Sequence, residues 1–270
     1  MESDREPTVT NSLERALALL ELLEHTPGGL RNAEISRELK IPRSTCSYIA
    51  RRLEQKGYLS REEDTLRYQI GLKTVALAHG ALRELGFRTM AEPVLYRLAS
   101  DTGMSAGIGV LQQGRVLLVD RVEGPEFVRE VVHRKIPRGR TREQRDIGRE
   151  LNVHTTALGK VLLAYLPEGQ RAELLRGLVL VRRTARTIVS KAKLMAELAE
   201  VRRQGYATAD EEEYVGVRSL GAPIYDSRRK VRAAVALNGG LADPAWNDAP
   251  AMVDLIQNAA TEIFKRSRLA

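Results

Sequence analysis

Hydrophobic positions near the start of the chain recur with the period of an α-helix. Four apolar residues at i, i+3, i+4 and i+7 predict a helix with one buried stripe. The four are Leu13, Ala16, Leu17 and Leu20. Ser12 is the predicted N-cap, and the sequence TPGG at 26–29 ends the pattern. A second short helix is predicted over 32–39, followed by a turn at the sequence KIP, 40–42.

The stretch from residue 43 to residue 56 has a clean helical period. Its apolar residues lie on one stripe, which consists of Cys46, Ile49, Ala50 and Leu53. At 100° per residue the opposite face is centred on Ser44, Tyr48, Arg51 and Gln55. Gly57 supplies a helix stop. The pattern therefore predicts an amphipathic helix whose exposed face carries hydroxyl groups, an aromatic ring and cations.

Two strand candidates follow this helix, at 58–61 and 66–70, around a polar turn. A helix rich in Leu and Ala is then predicted over 72–85, and Gly86 marks a domain boundary. The order of helix, helix, turn, helix and hairpin is that of a winged helix-turn-helix.

The rest of the chain mixes strand and helix patterns. Residues 104–111 and 115–122 predict an antiparallel hairpin, and two more strands flank the turn DSRR at 226–229. Helices are predicted for ALGKVLLAYL, for KAKLMAELAEVRRQGY with a stop at Gly205, and for AMVDLIQNAATEIFKRSR. The predicted fold class is α+β, with a winged helix-turn-helix, a linker helix and a second domain built on an antiparallel sheet.

The length and the charge refine this picture. A chain of 270 residues predicts two domains. The net charge is +8 and the first 80 residues carry equal numbers of basic and acidic side chains, but eight basic and three acidic residues lie within 31–61. Positive charge is thus concentrated around the amphipathic helix, which favours an anionic partner.

Several classes of protein do not fit the sequence. There is no apolar run of membrane-spanning length and no signal-peptide pattern, so we expect a cytoplasmic protein without a membrane partner. Cys46 is the single cysteine, and His133 and His154 lack metal-ligand spacing, so we expect hydrogen-bonded histidines and no metal site. No nucleotide-binding fingerprint and no catalytic set are present, so we expect no cofactor and no enzymatic activity.

Five segments together resemble the IclR-type family of bacterial transcriptional regulators. They are SLERALALLELL, LKIPRSTCSYIARRLEQKGYL, RYQIGLK, HTTALGKVLLAYLP and DEEEYVGVRSLGAPIYD. The resemblance covers almost the whole chain. It implies a flexible tail at 1–11, a DNA-binding domain at 12–71, a linker helix at 72–87 and a GAF-like effector-binding domain at 88–270. It also implies a homodimer, often paired into a homotetramer, that binds double-stranded operator DNA; repression and activation stay open.

The resemblance further implies a small-molecule effector, frequently a small organic or aromatic acid. By family position the effector-binding residues are Leu151, Ala157, Leu158, Asp210, Val217, Ser219, Ala236 and Asn238. Ser219 stands where the family often has cysteine, which keeps a hydrogen-bond donor but loses the bulk of the thiol. Glu211, Glu212 and Glu213 are expected to form a solvated turn.

The amphipathic helix has two interpretations. Taken alone it is a solvated surface helix, but the KIP turn and the hairpin around it favour a recognition helix in the major groove of DNA. The predicted DNA-binding residues are Arg43, Ser44, Thr45, Ser47, Tyr48, Arg51 and Arg52 on the helix and Arg61 and Arg67 on the wing. Cys46 is expected to be a small core residue and not a nucleophile.

Two further alternatives concern function. The run 129–149 carries eight basic and three acidic residues, and it fits a solvated loop, an interdomain or subunit contact, or a gate for an anionic effector. A winged helix can also mediate protein contacts, so the second hypothesis is a metabolite-binding protein or enzyme with such a module.

Overall fold

The computed structural model describes residues 11–84, 87–124 and 147–267. The chain divides into two compact units, Met1–Glu84 and Leu85–Ala270. Each unit has its own elements and its own hydrophobic core, and the two are described separately below.

The described part of the first unit contains helices and a small sheet. Its elements are α1 (Ser12–Glu24), β1 (Leu30–Arg31), α2 (Asn32–Glu38), α3 (Arg43–Gln55), β2 (Leu59–Arg61), β3 (Arg67–Ile70) and α4 (Lys73–Glu84). The sheet is antiparallel in the order β1-β3-β2. This is the predicted winged helix-turn-helix, in which β2 and β3 form the wing.

Helix α1 begins at Ser12, and its N-cap lies one residue before the predicted cap. The side chain of Asn11 accepts a hydrogen bond from the backbone N–H of Glu14, 2.9 Å, and the carboxylate of Glu14 accepts one from Asn11 N, 3.4 Å. This reciprocal capping box needs a glutamate or glutamine three residues after the cap. Ser12 has Arg15 at that position, so Asn11 is the cap and the prediction of Ser12 was wrong.

The predicted buried stripe of α1 was half right, because Ala16 and Leu20 pack half-buried on the core but Leu13 and Leu17 do not. Leu13 and Leu17 are 69% and 51% exposed, whereas Leu19 and Leu23 are buried. Leucines surround much of this helix, so two overlapping stripes have helical spacing. Contact with α3 buries Leu19 and Leu23. Leu13 and Leu17 remain as an exposed apolar surface.

The core of the first unit confirms the stripe predicted for α3. Cys46, Ile49 and Ala50 are buried, and Leu53 packs beside them half-buried. The other buried members of this core are Leu19, Leu23, Ile35, Ile41, Leu59 and Tyr68. The burial of one face of α3 against α1 and α2 fixes which face of the helix remains in solvent.

The described residues of the second unit form a six-stranded antiparallel sheet in the order β6-β5-β4-β9-β8-β7. Its strands are β4 (Ser105–Gln112), β5 (Arg115–Val122), β6 (Glu150–Leu151), β7 (Ala207–Asp210), β8 (Val217–Tyr225) and β9 (Val231–Gly240). Its helices are α5 (Arg88–Thr102), α6 (Ala157–Tyr165), α7 (Glu168–Gly177), α8 (Lys191–Gln204) and α9 (Ala249–Ser267), with a short 3-10 turn at Pro244–Asn247. The predicted hairpin, the later strand pair and the helix stop at Gly205 are confirmed; α5 and α7 were not predicted.

Helix α6 is the central element of this unit. Its residues from Ala157 to Ala164 are all buried, and it packs on β8, β9 and α8. The hydroxyl of Thr156 caps the helix by accepting from Gly159 N at 3.1 Å. A Cβ at Gly159 would lie 2.3 Å from the carbonyl oxygen of Val153, so only glycine lets the incoming chain approach the first turn this closely.

In the described parts of the chain, no helix combines the length and the apolar character that a membrane span requires.

Candidate DNA interface and effector site

The turn between α2 and α3 is fixed by local hydrogen bonds. Ile41 N donates to Ser36 O at 3.1 Å, and the hydroxyl of Ser36 donates to Ile41 O at 2.6 Å. Lys40 adopts a left-handed conformation with φ 54°. The side-chain amide of Asn32 donates to Arg43 O at 3.2 Å, which ties the start of α2 to the start of α3. These contacts therefore fix the direction in which α3 leaves the turn.

The solvent face of α3 carries the residues that the sequence predicted for DNA contact. Arg43, Ser44, Tyr48, Arg51 and Arg52 are exposed. Thr45 and Ser47 are half-buried. A guanidinium nitrogen of Arg51 donates to the hydroxyl of Ser47 at 3.1 Å. The guanidinium of Arg52 stacks 5.6 Å from the ring centroid of Tyr48. Hydroxyl, aromatic and cationic groups thus share one surface.

Cys46 lies on the opposite face of α3 and is confirmed as a core residue. It is fully buried, and burial raises the pKa of its thiol to about 11. A thiol with so high a pKa is protonated at neutral pH and is a poor nucleophile.

The two arginines predicted on the wing have different environments. Arg61 is exposed, and its guanidinium lies 5.4 Å from the ring centroid of the buried Tyr68. Arg67 donates to Gly29 O at 2.6 Å and pairs with the carboxylate of Glu34 at 3.4 Å. The side chain of Arg67 therefore joins the wing to the turn before β1 and to α2, whereas Arg61 points away from these contacts.

The second unit brings several predicted effector residues together in the middle of the sheet. Ser219 on β8 is the register partner of Asn238 on β9. Ala236 lies two residues earlier on β9, opposite Gly221. Ala157, at the start of α6, packs over Gly221. A pair of polar side chains therefore borders a surface of small apolar groups.

The other predicted effector residues are more dispersed. Leu158 packs over Gly109 of β4, and Val217 begins β8. Leu151 lies on β6 and Asp210 on β7, which are the two outer strands in the sheet order. The carboxylate of Asp210 accepts two hydrogen bonds from Arg218, at 2.8 and 2.7 Å. Any ligand that binds Asp210 must therefore compete with or share this guanidinium.

Sequence reasoning missed one polar residue in the same row. Ser105, the first residue of β4, is the register partner of Asn238, so Ser105, Asn238 and Ser219 follow one another across three strands. Ser105 is fully buried, and its hydroxyl accepts from Gly124 N at 3.2 Å. The alignment depends on the non-local pairing of β4 with β9, for which the sequence has no local pattern.

The loop between β7 and β8 corrects the prediction of a solvated turn. Glu212 is buried against Lys160, and Nζ of Lys160 lies 2.6 Å from Oε1 of Glu212. Glu213 accepts hydrogen bonds from Asn152 and from the hydroxyl of Thr155. Burial raises the pKa of the Glu212 carboxyl, and the Lys160 ammonium opposes this rise. The acidic run is therefore anchored to α6 and to the segment before it.

Glu211 is held in a different way. It pairs with Arg186 at 3.0 Å and accepts from Gly216 N at 2.8 Å. All three glutamates thus have specific partners, which a pattern of consecutive acidic residues does not reveal.

His154 forms the hydrogen bond that was expected of it. Nε2 lies 3.2 Å from the carbonyl oxygen of Val181, and the side chain is buried. Burial lowers the pKa of His154 below its ordinary value of 6.5, so the ring is neutral at pH 7. Since the partner of Nε2 is a carbonyl, Nε2 carries the proton and donates it. His133 and residues 129–146 of the basic run lie outside the described residues.

Comparisons with known proteins agree with this architecture. A family model described as the IclR helix-turn-helix domain matches residues 12–63. A second model, described as the bacterial transcriptional regulator IclR C-terminal, matches residues 79–265. Together the two models account for most of the chain.

Three individual proteins illustrate the similarity. The chain is 30% identical over 230 residues to the HTH-type transcriptional regulator XynR of Escherichia coli, which covers 85% of this chain and 86% of XynR. It is 32% identical over 263 residues to the glycerol operon regulatory protein of Streptomyces griseus, with coverage of 94% and 95%. A crystal structure of an IclR homolog from Microbacterium hydrocarbonoxydans, complexed with 4-hydroxybenzoate, superimposes with a TM-score of 0.79 at 24% identity and coverage of 96% and 100%.

Proposed function

This chain belongs to the IclR family of bacterial transcriptional regulators, and we propose that it binds double-stranded operator DNA as a symmetric homodimer that can pair into a tetramer. The observation that carries this proposal is the solvent face of α3. Its buried stripe of Cys46, Ile49 and Ala50 leaves Ser44, Tyr48, Arg51 and neighbouring polar groups free to enter a major groove. We place the protein in the cytoplasm, where its DNA is.

The groups on α3 suit two kinds of DNA contact. Arginines bind phosphate or, in a bidentate manner, the O6 and N7 atoms of guanine. Hydroxyl groups at the N-terminal end of α3 can reach base edges, and Arg43 lies at the entry of the helix. We propose that Arg51 and Arg52 set the position of the helix and that Ser44, Thr45, Ser47 and Tyr48 contribute to sequence selection. Arg61 on the wing contacts a phosphate or a minor-groove edge.

Two apolar surfaces of the first unit support the dimer. Leu13 and Leu17 of α1 are exposed, and so are Leu72, directly before α4, and Val75 in the first turn of α4. A helix with so much uncovered apolar surface is expected to pack against another chain. We therefore propose that the α4 helices of two chains pair across the symmetry axis.

We also propose that a small organic acid, aromatic or keto, regulates DNA binding from the second unit. Support comes from the polar pair Ser219 and Asn238 beside the apolar Ala157, Leu158 and Ala236. Further support comes from the related protein that was crystallised with 4-hydroxybenzoate. Such a ligand regulates only if it binds the DNA-competent and the incompetent arrangement with different affinity.

The experiment that tests DNA binding uses the DNA upstream of the protein's own gene. Fluorescence anisotropy at graded salt, with a scrambled duplex of the same composition as control, measures affinity and sequence preference together. We expect tighter binding to the upstream DNA and a linear fall of log affinity with log salt concentration. Equal affinity for both duplexes would instead favour a protein-contact role for the winged helix.

The effector is tested by thermal denaturation with a panel of aromatic acids and short keto acids. A ligand that binds only the folded state raises the melting temperature. Its effect on DNA affinity is then measured with the same duplexes. A panel that stabilises the protein but leaves DNA affinity unchanged contradicts the proposed regulation.

A further inference from the structure

A cleft of about 670 Å³ opens at the end of the β4–β5 hairpin. It lies between the hairpin turn at Gln113 and Gly114, the segment 152–154, the end of α7 and the segment 178–183 that follows α7. We call it the hairpin cleft. Its volume falls within the roughly 300–1,000 Å³ typical of small-molecule sites.

The hairpin cleft does not coincide with the predicted effector residues, although Leu151 directly precedes its lining residue Asn152. None of those eight residues is among its described lining residues. The row of Ser105, Asn238 and Ser219 lies at the first residue of β4, whereas Gln113 follows the last residue of the same strand. At about 3.4 Å per residue these two ends are roughly 25 Å apart. One small molecule cannot occupy both places.

One wall of the hairpin cleft is apolar. It is formed by Leu174, Leu178, Val179 and Val181. Val179 and Val181 are exposed although they are β-branched aliphatic residues. The position of Val181 is fixed, because its carbonyl oxygen accepts the hydrogen bond from the buried His154. This wall offers a preformed apolar surface to a ligand.

Two arginines, Arg115 of β5 and Arg183 of the segment that also carries Val181, line the same cleft. Arg115 donates to the side-chain oxygen of Asn152 at 2.8 Å and lies 4.0 Å from Glu150. Arg183 lies 3.3 Å from Glu213 through its Nε atom. A guanidinium has five N–H donors, and these contacts engage only some of them. Two cations beside an apolar wall match an anion with an apolar body, because guanidinium groups bind carboxylates with paired hydrogen bonds.

We infer that the hairpin cleft is a second ligand site, which takes a small organic monocarboxylate with an apolar body. The carboxylate binds Arg115 and Arg183, and the apolar body rests on Val181 and Leu178. This site is additional to the effector site proposed above: binding of the carboxylate does not require that site, whereas coupling between the two sites rests on it.

The hairpin cleft is also connected to the loop that leads into β8. Glu213 accepts from Asn152, at 3.0 and 3.3 Å, and pairs with Arg183, so two lining residues hold one loop residue. A carboxylate in the cleft competes with Glu213 for Arg183. Glu213 lies four residues before Val217 and six before Ser219, so a shift of Glu213 moves the start of β8. Occupation of the cleft therefore changes the affinity of the effector site for its ligand. By linkage, a ligand in the effector site changes the affinity of the cleft by the same factor.

The test is a titration of the full-length protein with 4-fluorobenzoate, in which binding is monitored by fluorine NMR and by calorimetry. The cleft variant is Arg115→Gln with Arg183→Gln, and the effector-site variant is Ala236→Phe. Both arginines are partly exposed, so the cleft variant is expected to fold; Arg203→Gln, a surface arginine on α8, is the matched control. Circular dichroism and the melting temperature check each variant.

We expect the cleft variant to weaken one class of binding site by about tenfold or more, since it removes charge-assisted hydrogen bonds. Ala236→Phe should leave that class intact. Loss of all binding in Ala236→Phe with no change in the cleft variant overturns the second site but not the proposed effector site. Absence of 4-fluorobenzoate binding to the unmodified protein also overturns it, and neither result touches the proposed DNA binding.

Discussion

Lys160 and Glu212 form a buried ion pair in which Nζ and Oε1 are 2.6 Å apart and the side chains are 1% and 9% exposed. Nζ also donates to Thr208 O and to Glu197, both at 2.9 Å. The three donors of the ammonium are thus all used. The pair joins α6, which carries Ala157 and Leu158, to the loop that precedes Val217 and Ser219. It therefore fixes the two segments that the proposed effector site needs.

Removal of the ammonium should destabilise the second unit strongly. Lys160→Met leaves Glu212 as a buried carboxylate without its partner, and breaking a buried pair from one side costs about 3–5 kcal/mol. Trp246 is the single tryptophan and lies buried in this unit, so its fluorescence in graded urea reports the free energy of unfolding.

Two controls make this measurement specific. Lys193→Met removes an exposed lysine of α8 and should change the unfolding free energy little. The double variant Lys160→Met with Glu212→Leu should recover part of the loss, because the buried carboxylate is removed together with its partner and only the more exposed Glu197 loses a contact. A double variant less stable than Lys160→Met would show that the pair itself is not the cause.

His154 predicts a pH dependence of the stability of the second unit. Burial lowers its pKa below 6.5 in the folded protein, so the unfolded chain takes up a proton at higher pH than the folded one. The stabilising contribution of neutral His154 to the free energy of unfolding is complete above pH 6.5. It is lost as the pH falls through the pKa that His154 has in the folded protein.

His154→Gln should flatten this slope, because the amide can still donate to Val181 O but does not titrate. Glu212, whose pKa is raised above 4.5, acts with the opposite sign, since its contribution is lost as the pH rises through its folded pKa. It is common to both proteins, so the difference between them isolates His154. The exposed His79→Gln is the control. Parallel plots of unfolding free energy against pH for the unmodified protein and His154→Gln would contradict the prediction.

Substitution of the two wing arginines, Arg61 and Arg67, should affect different properties of the protein. Arg61→Ala removes an exposed cation and should lower the salt slope of DNA binding by about one unit if it meets a phosphate. Arg67→Ala removes the donor to Gly29 O and the partner of Glu34, which should destabilise the first unit by about 1–2 kcal/mol. Circular dichroism in graded denaturant and DNA titrations on both variants distinguish the two roles. Equal losses of stability in both variants would refute the distinction.

The apolar start of α4 predicts the oligomeric state. Leu72→Glu with Val75→Glu places two charges on exposed apolar positions and should shift the protein toward monomer in sedimentation velocity, because each charge must be desolvated in a paired interface. Lys73→Glu, an exposed polar position beside them, is the matched control. An unchanged sedimentation coefficient in the double variant would remove α4 from the interface.

Local patterns predicted the fold well where one period dominates. The stripe of Cys46, Ile49 and Ala50 has no competing stripe on α3, and its burial followed from spacing alone. Helix α1 has leucines on more than one face, so its spacing also fitted Leu13 and Leu17, and only packing against α3 selected Leu19 and Leu23.

The second unit shows where local patterns fail. The glutamates of the β7–β8 loop have the sequence of a solvated turn, yet Glu212 is paired with Lys160, 52 residues earlier in the chain. Ser105 and Asn238 meet only through the pairing of β4 with β9. Ion pairs and strand registers of this kind join residues that are distant in the sequence. The pattern of neighbouring residues therefore does not predict them.

The most direct test of the central claim, that the solvent face of α3 binds DNA, is the salt dependence of operator affinity for Arg51→Ala. Arg203→Ala, which removes an exposed arginine of α8, is the control. We predict that Arg51→Ala weakens binding and lowers the slope of log affinity against log salt by about one unit, while Arg203→Ala matches the unmodified protein. Unchanged affinity and slope in Arg51→Ala would contradict the assignment of this face to DNA.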